Sequence, residues 1–188
     1  MKIHEHLQEG LPLLLDGAMG TVFAALPRQS EAACESANLD CPEQIVSIHK
    51  AYLAAGSNAI QTNTFSLSAA ICQGRAEEAQ RLLVAGCQLA RQAVSGTEAA
   101  IFADIGPAPL GMPITPAKAF IQQMDWFLQQ GLTCFLLETL PSDEGIREAA
   151  EHLKQQCPGA FLLVSYAVRP EGFTREGLSC KGLLERTA

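Results

Sequence analysis

Two acidic residues next to apolar runs are the first candidates for chemistry in this 188-residue sequence. Asp16 ends the run LPLLLD (11–16), and Glu138 lies late in the run TCFLLETL (133–140). An unpaired charge at such a place is costly. A cationic ligand between the two carboxylates would offset both charges. The alternative is that they are ordinary polar residues of the kind that ends many strands.

Further polar clusters follow apolar runs in the same way. They are Thr62-Asn63-Thr64-Phe65, Asp104-Ile105-Gly106-Pro107 and Ser165-Tyr166. In parallel α/β proteins, binding residues gather at the carboxyl ends of strands and in the loops that follow. We therefore expect these clusters to share one edge of a sheet with Asp16 and Glu138.

Alternating elements would position these clusters. Runs that are apolar nearly throughout predict five strands buried on both faces, at 11–16, 58–65, 99–106, 133–140 and 160–168. Helices are predicted between them: from a capping box at Asp40 and Glu43 to Gly56, over 75–96, from Thr115-Pro116 to Gly131, and from Ser142 to Pro158-Gly159.

This alternation defines an α/β fold with parallel strands. Units of roughly 30 to 45 residues fit either an open doubly wound sheet or part of a (β/α)8 barrel, and periodicity does not choose between them. No internal linker or low-complexity stretch interrupts residues 1–188, so a single domain is expected.

Composition excludes several classes of partner. The formal net charge is −7 and the basic residues are scattered, which argues against nucleic acid and against an anionic membrane. No apolar stretch approaches the roughly 20 residues of a membrane span, and the N-terminus has no targeting segment. Seven cysteines without a C-x-x-C pair indicate a reduced, cytoplasmic protein.

Four motifs in order carry a family resemblance: D-G-A-M-G-T (16–21), A-G-S-N-A-I-Q-T-N-T-F (55–65), I-G-P (105–107) and L-L-E-T (136–139). Together they resemble the zinc-dependent homocysteine S-methyltransferase family. The segment E-G-F-T-R-E-G-L (171–178) is more loosely similar to a turn of that family. The resemblance implies about five units of a (β/α)8 barrel, and transfer of a methyl group to the homocysteine thiol to give methionine.

The resemblance also implies a substrate site. Asp16 and Gly17 match positions that hold the amino-acid end of homocysteine, and Glu138 matches the acidic residue that binds its ammonium group. Carboxylates suit that role because they accept charge-assisted hydrogen bonds. The full set of expected substrate-binding residues is Asp16, Gly17, Ala18, Asn63, Thr64 and Glu138.

Zinc is the implied cofactor, since it turns the substrate thiol into the nucleophilic thiolate. The family's three cysteine ligands follow strands six and eight, and the 188 residues end before those positions. Replacement by Cys34, Cys72 and Cys134 is not expected, because Cys134 begins a strand. The sequence therefore predicts no metal ligand, no catalytic residue and little or no catalysis in this chain.

The sequence leaves the methyl donor and the role of the isolated chain open. The donor is S-adenosylmethionine, S-methylmethionine, betaine or methyltetrahydrofolate, with a sulfonium donor modestly favoured. Instead of an enzyme, the chain could be a non-catalytic half-barrel that binds a small amino acid or assembles with a partner. A homo-oligomer that covers the open barrel is expected. A nucleotide-binding sheet is disfavoured because G-A-M-G-T lacks the G-x-G-x-x-G spacing.

Overall fold

The computed structural model describes residues 3–27 and 33–187. Its strands are β1 (Ala59–Gln61), β2 (Ala100–Ile105), β3 (Cys134–Leu140) and β4 (Phe161–Tyr166). Its α-helices are α1 (Ile3–Gln8), α2 (Met19–Ala24), α3 (Ala37–Asp40), α4 (Pro42–Ala54), α5 (Leu67–Cys72), α6 (Ala76–Val94), α7 (Pro116–Gln129), α8 (Ile146–Gln156) and α9 (Cys180–Thr187), with a 3₁₀ turn at Cys34–Ser36.

The four strands form one parallel sheet in the order β1-β2-β3-β4. The crossover helices α4, α6, α7 and α8 pack on one another in the same sequence. A doubly wound sheet reverses its strand order part-way, whereas a (β/α)8 barrel adds each strand beside the last. The sequential order therefore decides the question that periodicity left open in favour of a partial barrel.

The predicted strand at 11–16 is wrong as a regular strand. This segment is extended and lies beside β1: the amide of Asn58 donates to the carbonyl of Leu14 (3.0 Å), and the amide of Asp16 donates to that of Ala59 (3.0 Å). One hydrogen bond between this segment and the β1 region involves a side chain instead of the backbone: Asn58 Oδ1 accepts from the amide of Leu14 (2.8 Å). The segment still brings Asp16 to the carboxyl edge of the sheet.

Helix boundaries follow the sequence signals in part. Thr115 caps α7 as predicted, with its hydroxyl accepting from the amide of Lys118 (3.4 Å). The capping box at Asp40 and Glu43 does not form, because Asp40 ends α3 and α4 begins after Cys41 without a side-chain cap. The last predicted helix begins at Ile146 rather than Ser142, after Gly145 in the left-handed conformation.

The sheet packs on both faces. The outer face meets the crossover helices through a large apolar cluster that includes Ile105, Leu137 and Phe127, each fully buried. The inner face carries a smaller cluster that includes Phe102 and Leu136. Because side chains alternate along a strand, the residue of β2 that follows Phe102 by two positions also faces the interior. That position is Asp104, at the carboxyl end.

Within residues 3–27 and 33–187, no helix is both long and apolar enough to cross a membrane.

Candidate functional site

A pocket of about 410 Å³ opens at the carboxyl edge of the sheet. All six residues that the sequence predicted for substrate binding line it: Asp16, Gly17, Ala18, Asn63, Thr64 and Glu138. They come from three separate stretches of the chain, which the parallel sheet brings to one edge. Their role in binding stays a prediction.

Asp16 is held from two sides. Its Oδ1 accepts from the amide of Gln61 (3.0 Å), and its Oδ2 lies 3.5 Å from Nδ1 of His49 on α4. The side chain of Asp16 is 2% exposed and that of His49 is fully buried. His49 is not one of the residues that the sequence predicted for this site. Its place beside Asp16 emerges only when α4 docks on β1.

Gly17 is required by a close neighbour. A Cβ atom at this position would lie 2.8 Å from the Tyr52 hydroxyl and 2.9 Å from the ring. The same hydroxyl donates weakly to the carbonyl of Ala18 (3.4 Å). Gly17 and Ala18 therefore lie against Tyr52 of α4, and both line the pocket.

Glu138 stands at an irregularity of the sheet. The pairing of β3 with β4 shifts between Leu137 and Leu140, and Thr139 has a positive φ of 51°. Such a φ is unusual for a β-branched residue, and strain of this kind costs about 1–3 kcal/mol where surrounding contacts maintain it. The Ser165 hydroxyl, which accepts from the amide of Thr139 (2.8 Å), is one such contact. The irregularity leaves Glu138 half-buried on the pocket wall.

Asn63 and Thr64 are committed to holding the loop after β1. The Asn63 amide donates to the carbonyl of Cys34 (3.0 Å) and to Asn38 Oδ1 (2.8 Å). The Thr64 hydroxyl donates to the carbonyl of Asp104 (2.7 Å). Both side chains therefore shape the pocket through the backbone that they fix.

Several further polar residues line the pocket and were not among the predicted substrate-binding residues; Glu35, Asp104 and Gln61 are three of them. Asp104 belongs to a polar cluster that the sequence predicted at this edge of the sheet, although it was not named as a substrate-binding residue. Glu35 lies in the 3₁₀ turn, is 6% exposed, and accepts from the amide of Ser66 (2.7 Å). Nothing in the local sequence marks Glu35 as a pocket residue.

The pocket is strongly acidic. Four of its described lining residues carry carboxyl groups, and none is lysine or arginine. Burial, followed by the charges of Glu138, Asp16 and Glu35, raises the pKa of Asp104 well above its usual value. Burial and then Asp16 raise the pKa of Glu138. Burial and the neighbouring negative charges therefore both favour the protonated forms of these two carboxyl groups.

The described residues do not fit a zinc site. In these ranges, no group of three or more histidine, cysteine, aspartate or glutamate side chains could hold a metal ion. Cys34 lines the pocket, whereas Cys72 is buried in the outer core on α5 and Cys134 starts β3. A single thiol with four separate carboxyl groups does not match the cysteine- and histidine-rich tetrahedral sites that zinc prefers.

The sequential parallel sheet with an acidic pocket on its carboxyl edge defines a protein of the (β/α) barrel class. A family model described as homocysteine S-methyltransferase matches residues 13–186. The chain therefore belongs to the homocysteine S-methyltransferase family.

Known relatives agree with this assignment. Betaine–homocysteine S-methyltransferase 1 from Mus musculus is 28% identical, over 90% of this chain and 44% of the mouse protein. The Sus scrofa protein of the same name is also 28% identical, with 64% of it covered. The chain thus spans about half the length of these relatives.

Solved structures show the same fold. The metallated form of the homocysteine methyltransferase MmuM from Escherichia coli superposes with a TM-score of 0.75, at 22% identity, over 95% of this chain and 71% of that one. Its oxidized form gives a TM-score of 0.73 over 92% and 68% of the two chains.

Proposed function

We propose that this chain binds homocysteine by its amino-acid end, as the ammonium-binding part of a homocysteine S-methyltransferase site. The observation that carries the proposal is the acidic pocket, in which Asp16 and Glu138 stand without a cationic side chain among the described lining residues. An ammonium group would supply the missing positive charge and donate charge-assisted hydrogen bonds. The relatives' names, which specify homocysteine as the methyl acceptor, support this choice of ligand.

The pocket supports binding and orientation of the substrate. Asp16 accepts a hydrogen bond from the amide of Gln61 and lies against His49, so its carboxyl group has a defined orientation. Thr62 and Thr64 hold the backbone of Asp104 on the neighbouring strand. Thr62 Oγ1 accepts from the amide of Asp104 (3.0 Å), and the Thr64 hydroxyl donates to the carbonyl of Asp104. A rigid floor of this kind lowers the ordering cost of binding.

Activation of the thiol is not assigned to any described residue, because none of them forms a zinc site. We therefore propose zinc binding, methyl transfer and use of a methyl donor for the complete site of the family, and not for the described residues alone. The second candidate, for the 188 residues by themselves, is a non-catalytic half-barrel that binds an amino acid. The acidic pocket, which favours an ammonium ligand, also favours this second candidate.

We also propose a cytoplasmic location, which suits the chemistry of a free thiol substrate. All seven cysteines are unpaired, as a reducing compartment would keep them.

The test is the affinity for L-homocysteine by isothermal titration calorimetry, with the wild type compared with Glu138→Gln. The neutral amide keeps the size of the side chain and loses its charge. A hydrogen bond to a charged group contributes about 1.5–3 kcal/mol, so we expect binding to weaken about 10- to 100-fold.

Glu151→Gln is the matched control, because Glu151 is exposed on α8 and lies outside this pocket. Its affinity should equal that of the wild type. An unchanged affinity in Glu138→Gln would remove Glu138 from the site. Absence of binding in the wild type would refute the proposed function.

A further inference from the structure

The pocket contains a buried carboxyl group that the proposed function does not use. Asp104 ends the inward-facing row of β2, is 4% exposed, and lines the pocket between β1 and β3. Its backbone is clamped on both sides, by the hydroxyl of Thr62 at its amide and the hydroxyl of Thr64 at its carbonyl. The backbone that carries this buried side chain is therefore held in place at the pocket.

One oxygen of this side chain has no partner. Asp104 Oδ1 is buried and receives no hydrogen bond from any described residue. The side-chain oxygen of Gln61, on the adjacent strand and in the same pocket, is likewise buried and unpartnered. A buried polar atom without a hydrogen-bond partner destabilises the folded protein. Two orphaned acceptors in one pocket indicate that a ligand with N–H donors completes the site.

The charges around Asp104 determine its state in the empty pocket. The carboxyl groups that face it are Glu138 on β3, Asp16 before α2 and Glu35 in the 3₁₀ turn. His49 reaches this group only through Asp16. Burial and these three like charges favour the protonated form, and a backbone hydrogen bond involving Ile105 opposes them weakly, as the last of the causes. The raised pKa of Asp104 thus agrees with the geometry, in which a buried carboxyl group faces other acids and no lysine or arginine lines the pocket.

We propose that Asp104 is a third carboxyl contact for the ammonium group of the substrate, and that binding of this cation expels a proton from Asp104. The Asp104 O–H bond breaks and its proton goes to solvent. The carboxylate oxygen that remains accepts an N–H of the ammonium group, which keeps its own three protons. This inference rests on the proposed function, because it requires that the pocket take an ammonium ligand.

Proton release has a direct calorimetric signature. We would titrate L-homocysteine into the wild-type chain at pH 7 in phosphate and in Tris, whose ionisation enthalpies differ, and count protons from the difference in heat. About one proton should be released per ligand bound. The affinity should then rise up to about tenfold per pH unit while Asp104 remains protonated in the empty pocket.

Asp104→Asn identifies the source of the proton. The amide cannot ionise but still presents an oxygen acceptor, so we expect binding with proton release close to zero and no rise of affinity with pH. Asp40→Asn, at an exposed position on α3, is the matched control and should behave as the wild type. Circular dichroism would confirm that each variant folds.

The outcomes separate this inference from the proposed function. Wild-type binding without proton release would overturn the role of Asp104 and leave the proposed function standing. Full proton release in Asp104→Asn would also overturn it and would assign the proton to Glu138. Absence of wild-type binding would remove both proposals. If Asp104→Asn fails to fold, the proton count of Glu138→Gln decides the matter: release that persists in that variant cannot come from Glu138 and supports Asp104, whereas loss of the release would overturn the role of Asp104.

Discussion

At the residue scale, the acidic side chains of the pocket differ in how they are satisfied. Asp16 accepts a backbone amide and lies against His49, whereas Asp104 Oδ1 has no partner among the described residues. The first carboxyl group is oriented by its neighbours, and the second has an oxygen that no described residue satisfies. The residue type alone does not separate these two roles, because the difference lies in what each oxygen meets.

The thiol of Cys34 provides a test of this environment. Burial, followed by the charge of Glu35, raises the pKa of Cys34 to about 11, against a smaller opposite effect of Asn63. Only the thiolate reacts with iodoacetamide, and at pH 8 roughly one Cys34 in a thousand is ionised. We expect alkylation of Cys34, followed by peptide mass spectrometry, to accelerate about tenfold per pH unit from pH 7 to pH 10.

Glu35→Gln removes the neighbouring charge, so it should lower the pKa of Cys34 and speed its alkylation at pH 8. Glu43→Gln, at an exposed position on α4, should leave the rate unchanged. A wild-type rate that levels off near pH 8 would show that the thiol is not buried beside Glu35.

At the element scale, the loops that follow β1 and β2 are in close contact at Gly106. A Cβ atom on Gly106 would lie 2.3 Å from the carbonyl oxygen of Phe65 and 2.8 Å from its ring. The carbonyl of Gly106 accepts from the hydroxyl of Ser68 (2.7 Å), which itself accepts from Gln123 (2.8 Å). Because this network fixes the glycine, an added methyl group must displace the loop that carries Asn63 and Thr64.

Gly106→Ala is therefore expected to harm both folding and binding. Overpacking of this kind costs about 1–3 kcal/mol, measured as the free energy of unfolding in urea. Displacement of the pocket wall should also weaken L-homocysteine binding. Gly159→Ala is the matched control, because a Cβ at Gly159 meets nothing within 4 Å and no positive φ is involved. Equal stability of the two variants would contradict the tight approach of Gly106 to Phe65.

At the scale of the whole molecule, the sheet has an open side at β4. This strand pairs with β3 alone among the described strands, and all six of its residues are only half-buried. Exposed apolar side chains follow it at Val168 and Phe173. An unpaired edge with apolar surroundings is a template for association.

We propose that the 188-residue chain self-associates along this side. Light scattering coupled to gel filtration should give a molar mass at least twice the 20.1 kDa of one chain. High salt should not dissociate the assembly, because apolar contacts and strand pairing are not screened as ion pairs are. A mass of one chain at every concentration would contradict this proposal.

The amino-acid sequence by itself determined the alternation of elements and the family, and it predicted that Asp16 and Glu138 lie at one edge of the sheet, where both line the pocket. Each of these depends on local information: a run of apolar residues, a capping threonine at Thr115, or a motif of three to eleven letters. The same local reasoning failed at 11–16, where the backbone bonds irregularly to β1, and at Asp40, where a short helix ends in place of a capping box.

Tertiary structure decided the strand order and the spatial neighbours of each polar group. Gln61, Asp104 and Glu138 follow one another along the chain at distances of 43 and 34 residues, and they meet because parallel strands end at one edge. His49 reaches Asp16 only when α4 docks on β1, and Glu35 reaches the pocket only through the turn before α3. Burial and like charge act through space, so the unusual state of Asp104 cannot be derived from its neighbours in sequence.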